Sequence, residues 1–375
     1  MPRTSAPPPK PAMPPEAGAG MQRVPFGERL AAARAAKGAL CVGIDPHPGL
    51  LHSWGLEDTP AGLERFSLTV LDAVGSVAVA VKPQVALYER HGSRGVAVLE
   101  LLLARAATAG VLTIADAKRG DIGSTMQAYA DAWLGEGSPL AADAVTLNPY
   151  LGFESLRPAL DLAAATGRGV FVLALTSNPE GRTVQHVGGS ASVARSIASA
   201  AAAENAGPGS GHVGLVVGAT VGDAAERLGL DLPGLNGPIL APGVGAQGAG
   251  AEELRETFGA ALPSVLPTSS RASSTRGPGP RSCMTRRSGH GTNWRSIDFA
   301  GPRPVGSVQS HPPRNDELSL THPDDERSPP SVVPSSAGST SEPEAIDGCR
   351  TYAGPREGDG GPGGACGHQV PAEDR

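Results

Sequence analysis

Val111-Leu112-Thr113-Ile114-Ala115-Asp116-Ala117-Lys118-Arg119-Gly120-Asp121-Ile122 runs from an apolar, β-branched segment directly into a dense cluster of charge. The apolar part reads as a buried strand. Side chains alternate faces along a strand, so Asp116 and Lys118 point the same way and Arg119 points elsewhere. Gly120 ends the strand, which puts Asp121 and Ile122 in the loop beyond its C-terminal end. Two carboxylates and an ammonium therefore converge where an α/β barrel keeps its chemistry. A solvated ion pair at a strand end would give the same local pattern, so the neighbouring segments have to decide.

Outward from this stretch, between Gln22 and Arg271, short apolar runs alternate with helical ones. Leu40–Asp45, Val77–Lys82, Val111–Lys118, Ala144–Asn148, Gly169–Thr176, Val213–Gly218, Pro238–Pro242 and Ser264–Thr268 are eight candidate strands. Amphipathic or alanine-rich stretches lie between them, among them Gly62–Ala73, Gly95–Ala107, Thr125–Leu134, Phe153–Ala165, Ser192–Asn205 and Ala251–Phe258. Near-continuous apolar strands interleaved with helices imply a parallel sheet buried on both faces. Eight such units in about 250 residues predict a (β/α)8 TIM barrel. The polar residues agree: Asp45, Lys82, Asp116, Lys118, Asn148, Thr176, Ser177 and Gln247 all fall at the C-terminal ends of these runs.

The flanks have a different character. Residues 1–21 are rich in Pro and Ala, lack the apolar centre of a secretory signal, and read as a disordered extension. After Arg271 the chain turns abruptly to Gly, Pro, Ser, Arg and Asp with few aliphatics. Residues 272–375 cannot bury enough apolar surface to offset chain entropy, and are expected to be disordered. The eighth barrel helix should begin here, and none is recognisable. The expected domain is therefore 22–271, with its last helix missing or altered.

Composition narrows the function. A formal net charge of -6 with no dense basic run argues against nucleic acid as a partner. No apolar run is long enough to span a membrane. The four cysteines lack metal-ligand spacing, and Cys41 sits in a predicted core strand, where a lone thiol behaves as a small hydrophobe. A reduced, cytoplasmic protein is expected. His47, His52, His91, His186 and His212 share no ligand spacing either and read as loop or surface residues, so no metal site is expected.

Gly243-Val244-Gly245-Ala246-Gln247-Gly248 matches G-x-G-x-x-G, but it follows the seventh strand rather than the first, without the acidic residue that holds a ribose. In a barrel, loops after strands seven and eight often bind phosphate. Glycines there let backbone N–H groups approach an anion, and Arg271, just past the eighth strand, can add a charged fork. Lys82 ends the second strand, within reach of Asp116 and Lys118, and Asp45 ends the first.

These residues together resemble the orotidine 5'-monophosphate decarboxylase family in its longer bacterial type, over about Gln22 to Arg271. The resemblance rests on Gly43-Ile44-Asp45-Pro46, Val81-Lys82-Pro83-Gln84, the Asp116-to-Thr125 stretch, Asn148-Pro149-Tyr150, Thr176-Ser177-Asn178 and the glycine stretch from Pro242 to Gly248. It implies decarboxylation of orotidine 5'-monophosphate to uridine 5'-monophosphate, the final step of de novo pyrimidine biosynthesis, with neither cofactor nor metal. By resemblance Lys82, Asp116, Lys118 and Asp121 form an alternating charged array with Lys118 as proton donor. Asp121, Ile122 and Thr125 reach across a homodimer interface into the partner's site. Asp45 holds the ribose hydroxyls, Ser177 contacts the pyrimidine, and Gln247 and Arg271 hold the phosphate; Asn148 and Gly245 belong to the same substrate-binding set.

The pattern breaks at Arg271-Ala272-Ser273-Ser274, where the family continues into a closing helix. A shift of reading frame near residue 272 accounts for the break, and resequencing tests it. If the tail is genuine, apolar faces of strands one and eight are expected to be exposed, and an inactive barrel is one alternative. Another is a Mg2+-dependent sugar-phosphate decarboxylase or aldolase of the same barrel superfamily, against which Lys82-Pro83-Gln84 speaks. A nicotinamide-dependent dehydrogenase fits least.

Overall fold

Eight parallel strands close on themselves in chain order in the computed structural model, which describes residues 23–245 and 248–269. They are β1 (Cys41–Ile44), β2 (Ala80–Pro83), β3 (Leu112–Arg119), β4 (Ala144–Leu147), β5 (Gly169–Leu175), β6 (Val213–Val217), β7 (Ile239–Pro242) and β8 (Val265–Ser269). Closure is made by β8 against β1, with Cys41 opposite Thr268. The predicted (β/α)8 barrel is therefore the fold.

Alternation along each strand builds two apolar layers. Cys41, Ala80, Ile114, Ala144, Phe171 and Leu266 fill the barrel interior. Val42, Val81, Ala115, Val145, Val172 and Val265 face outward into the layer shared with the helices. Those helices are Pro60–Val74, Gly92–Thr108, Gly123–Leu134, Arg157–Thr166, Val193–Glu204 and Ala251–Phe258. The first opens with Pro60 behind Thr59, whose side chain accepts the Gly62 N–H at 3.3 Å, so the cap and the fixed proline φ set the start. Between β6 and β7 the crossover contains only one helical turn, Ala224–Arg227, and a short 3-10 segment.

A helix not singled out in the sequence, Phe26–Lys37, closes the floor of the barrel. Phe26 is fully buried and meets Phe171 edge-on at 6.0 Å between centroids. Two glycines make the space: a Cβ on Gly169 would lie 2.3 Å from the Phe26 ring, and one on Gly214 would lie 2.5 Å from that of Phe171. Arg29 ties the same helix to Asp143 and to the Gly167 carbonyl, just before β4 and β5. With the floor sealed, the C-terminal rim is the open end.

Two expectations need correction. The second and eighth strands run 80–83 and 265–269 rather than 77–82 and 264–268, because pairing register, not apolarity, sets where a ladder begins. The apolar faces of strands one and eight are not exposed: every residue of both is buried, and Val265 joins the same apolar layer as Leu254, Phe258 and Leu262. The expected extension 1–21, the missing eighth helix and the tail 272–375 lie outside the described residues.

Candidate active site

Alternation places Lys82 on β2 and Asp116 on β3 pointing into the barrel, one layer above the apolar interior. Asp116 is almost fully enclosed, and its two oxygens accept four hydrogen bonds. Oδ2 takes Lys82 Nζ at 2.6 Å and Gln84 Nε2 at 3.0 Å. Oδ1 takes Lys118 Nζ at 2.5 Å and the Thr146 hydroxyl at 3.0 Å. Lys82 is as buried as its partner, whereas the Lys118 side chain is 45% exposed and stands on the cavity side.

Burial works against charge on both buried groups, and the partners outweigh it. For Asp116 the adjacent Lys82 and Lys118 ammonium groups overcome desolvation and hold the carboxyl well below its ordinary range. For Lys82 the carboxylates of Asp116 and Asp45 likewise overcome desolvation and hold the ammonium above its ordinary range. The result is a fixed row of full charges, positive, negative, positive. Beneath it, burial pushes the Cys41 thiol up to about 12, so this cysteine is an inert interior residue as expected.

Lys118 reaches this position through an irregular backbone. Its φ of 50° lies in the left-handed region that side chains other than glycine rarely adopt. The β3–β4 register shifts there: Ala115 pairs with Val145, but the next pair is Arg119 with Leu147. Arg119 points out of the barrel as expected, bonded to Glu89 and lying over the rings of Tyr129 and Trp133.

A cavity of about 1040 Å³ opens above the row and is lined by Asp45, Lys82, Asp116, Lys118, Asn148, Ser177, Gly243 and Val244, among others. Asp45 Oδ1 is buried without a hydrogen-bond partner, an open acceptor at the cavity wall. Leu173, Val216 and Leu240 give the cavity an apolar base, and Val184 and Gln185 come over it from the segment after β5. Gln185 is pinned there by two 2.8 Å hydrogen bonds with Thr176. The cavity thus combines charge, an apolar surface and an open hydroxyl acceptor within one enclosure.

Other expected residues stand apart. Gly245 is exposed beside the cavity rather than in its wall, with φ of 78°. Its N–H donates to Ala249 O at 2.9 Å and the Gly250 N–H donates to Glu253 at 2.7 Å, so those two amides serve the loop itself. Gln247 and Arg271 lie outside the described residues. Asp121, Ile122 and Thr125 do not line this chain's cavity. The Asp121 carboxylate accepts its neighbour Ile122's N–H at 2.8 Å, and Ile122 is largely exposed.

Sequence reasoning missed Gln84, Thr146 and His47. Gln84 is two residues beyond Lys82, and Thr146 two before Asn148, so alternation alone carried the signal for both. His47, expected as a loop or surface residue without a site role, is in a loop and also lines the cavity.

Comparison with known proteins adds an independent line. Residues 38–263 match the model of the family described as Orotidine 5'-phosphate decarboxylase / HUMPS. The chain is 56% identical over 256 residues to an orotidine 5'-phosphate decarboxylase of Salinispora arenicola, covering 68% of this chain and 91% of that protein. It is 55% identical over 257 residues to the enzyme of the same name from Streptomyces coelicolor, with the same coverage. A crystal structure of a candidate orotidine 5'-phosphate decarboxylase from Streptomyces avermitilis superposes with a TM-score of 0.67 at 54% identity, over 71% of this chain and 93% of that one.

Proposed function

The chain belongs to the orotidine 5'-phosphate decarboxylase / HUMPS family, and we infer that in the decarboxylation of orotidine 5'-monophosphate it uses Lys118 as the proton donor. The product is uridine 5'-monophosphate, formed within pyrimidine biosynthesis. The observation that carries the reading is the Lys82–Asp116–Lys118 row facing the cavity, with Lys118 its accessible member.

Loss of CO2 from carbon six of the pyrimidine leaves a carbanion with no adjacent electron sink. Lys118, held by Asp116 and facing the cavity, stabilises that charge and then protonates it. Asp116, kept ionised by its two ammonium neighbours, stands beside the departing carboxylate. Like charges about 4 Å apart at an effective dielectric near 20 repel by roughly 4 kcal/mol. That helps, but the most proficient enzymes need ~20 kcal/mol. Preorganised charge and the binding of the remote phosphate supply the rest.

In this reading Asp45, with its open Oδ1, holds the ribose hydroxyls, and Asn148 and Ser177 meet the nucleotide from β4 and β5. The loop at Gly245, with Gln247 and Arg271, holds the phosphate. Two ammonium groups on Asp116 repel a divalent cation there, which favours a cofactor-free reaction over the Mg2+-dependent alternative.

The homodimer is part of the proposal. Ile122, Tyr150 and Leu151 are 62%, 75% and 54% exposed. They stand on neighbouring loops after β3 and β4, which touch so closely that a Cβ on Gly120 would lie 2.2 Å from the Asn148 carbonyl. An apolar group of this kind marks a contact surface, and it would deliver Asp121 and Thr125 to a second copy's cavity. The test is to purify the chain and follow the ultraviolet change on adding orotidine 5'-monophosphate in EDTA. Turnover supports the reading; activity that returns only with added Mg2+ contradicts it.

A further inference from the structure

We propose that Thr146, buried on β4 and absent from the cavity wall, is a positioning residue that sets the proton donor in place. This rests on the reading of Lys118 as that donor. Between Ala115 and Arg119 β3 runs out of register with β4, so the N–H groups in between do not follow the regular parallel ladder. An unpaired buried N–H is costly. At this irregular step a side chain takes the amide: the Thr146 hydroxyl accepts the Lys118 N–H at 2.9 Å.

The same oxygen has a proton to give, and it goes to Asp116 Oδ1 at 3.0 Å. That carboxylate oxygen is the one holding Lys118 Nζ. One hydroxyl therefore fixes Lys118 at both ends, through its backbone amide and through the carboxylate that aims its ammonium. A threonine hydroxyl can do this because it is donor and acceptor at once. On a strand its β-branched χ1 is stiff, so the oxygen stays where both partners need it. The left-handed φ of 50° at Lys118 is an unfavourable conformation for a lysine, and it persists where the surroundings over-determine it. Thr146, 1% exposed, is the surrounding group that contacts the strained amide directly.

The experiment compares Thr146→Val, Thr146→Ser and Thr146→Ala with Lys118→Ala, measuring kcat, KM and binding of the product uridine 5'-monophosphate. Misplacing a catalytic group by about 1 Å can cost about 100-fold, so Thr146→Val is expected to lower kcat by about 10- to 100-fold. KM and product binding should move by less than about threefold, because Thr146 does not line the cavity. Thr146→Ser keeps the hydroxyl and should restore most of kcat. Should the valine variant fail to fold, serine and alanine, which lose the same methyl, isolate the hydroxyl. Wild-type kcat in Thr146→Val, or equal kcat in serine and alanine variants, overturns the proposal. If Lys118→Ala retains turnover, the donor assignment falls instead, and the two failures are told apart.

Discussion

At the scale of single residues, Asp116 and Lys82 form a buried ion pair, and removing Lys82 leaves the enclosed Asp116 carboxylate with only the half-exposed Lys118 ammonium as counter-charge. Lys82→Ala should lower stability by about 3–5 kcal/mol in urea unfolding, since breaking a buried pair costs more than the pair contributes. A loss under about 1 kcal/mol would show that water or Lys118 compensates. The pH dependence has a definite sign. The folded Asp116 carboxyl titrates below its ordinary value of 3.8, so its stabilisation is complete above that pH and is lost as pH falls through lower values. The folded Lys82 ammonium titrates above its ordinary 10.5, so its contribution is complete below that pH and is lost as pH rises further. Alternation revealed that Asp116 and Lys118 share a face. It could not reveal the left-handed bulge at Lys118, nor that the neutral Thr146 and Gln84 complete the carboxylate's bonding, because both depend on register between strands.

Among the elements, the floor and the rim are separable. Phe26 fills the amino-terminal end of the barrel, remote from the cavity, so Phe26→Ala should cost about 3–5 kcal/mol of stability by denaturant unfolding. KM should remain near the wild-type value; a large rise in KM would mean the floor shapes the site. The helix carrying Phe26 escaped the sequence reading because its alanine-rich Leu30–Lys37 stretch shows little apolar periodicity. Its role depends on Gly169 and Gly214, two positions whose small size matters only once Phe26 and Phe171 meet. The eight strands were legible because each is a short apolar run, and six of the runs end in a polar residue. Their limits shifted by up to three residues, since the start of β2 is decided by its partners.

For the whole molecule, the count of eight runs in chain order was enough to predict closure, and family membership agrees with it. Assembly was not legible from apolar periodicity. It is inferred from Ile122, Tyr150 and Leu151, which periodicity cannot tell from core residues but which the fold leaves exposed. Ile122→Asp should shift the protein from dimer to monomer in sedimentation and lower activity with it, because Asp121 and Thr125 are proposed to serve a neighbouring copy. A monomeric wild type with full activity would contradict that. We also propose that the catalytic domain spans residues 22–271 and that the 272–375 stretch arises from a frame change, which resequencing decides.

The decisive residue is Lys118. Single-turnover decarboxylation by Lys118→Ala, with enzyme in excess over orotidine 5'-monophosphate, tests its role as proton donor most directly. No detectable uridine 5'-monophosphate is expected, while the variant still binds the product nucleotide with affinity close to that of the wild type. Measurable decarboxylation by that variant would contradict that role.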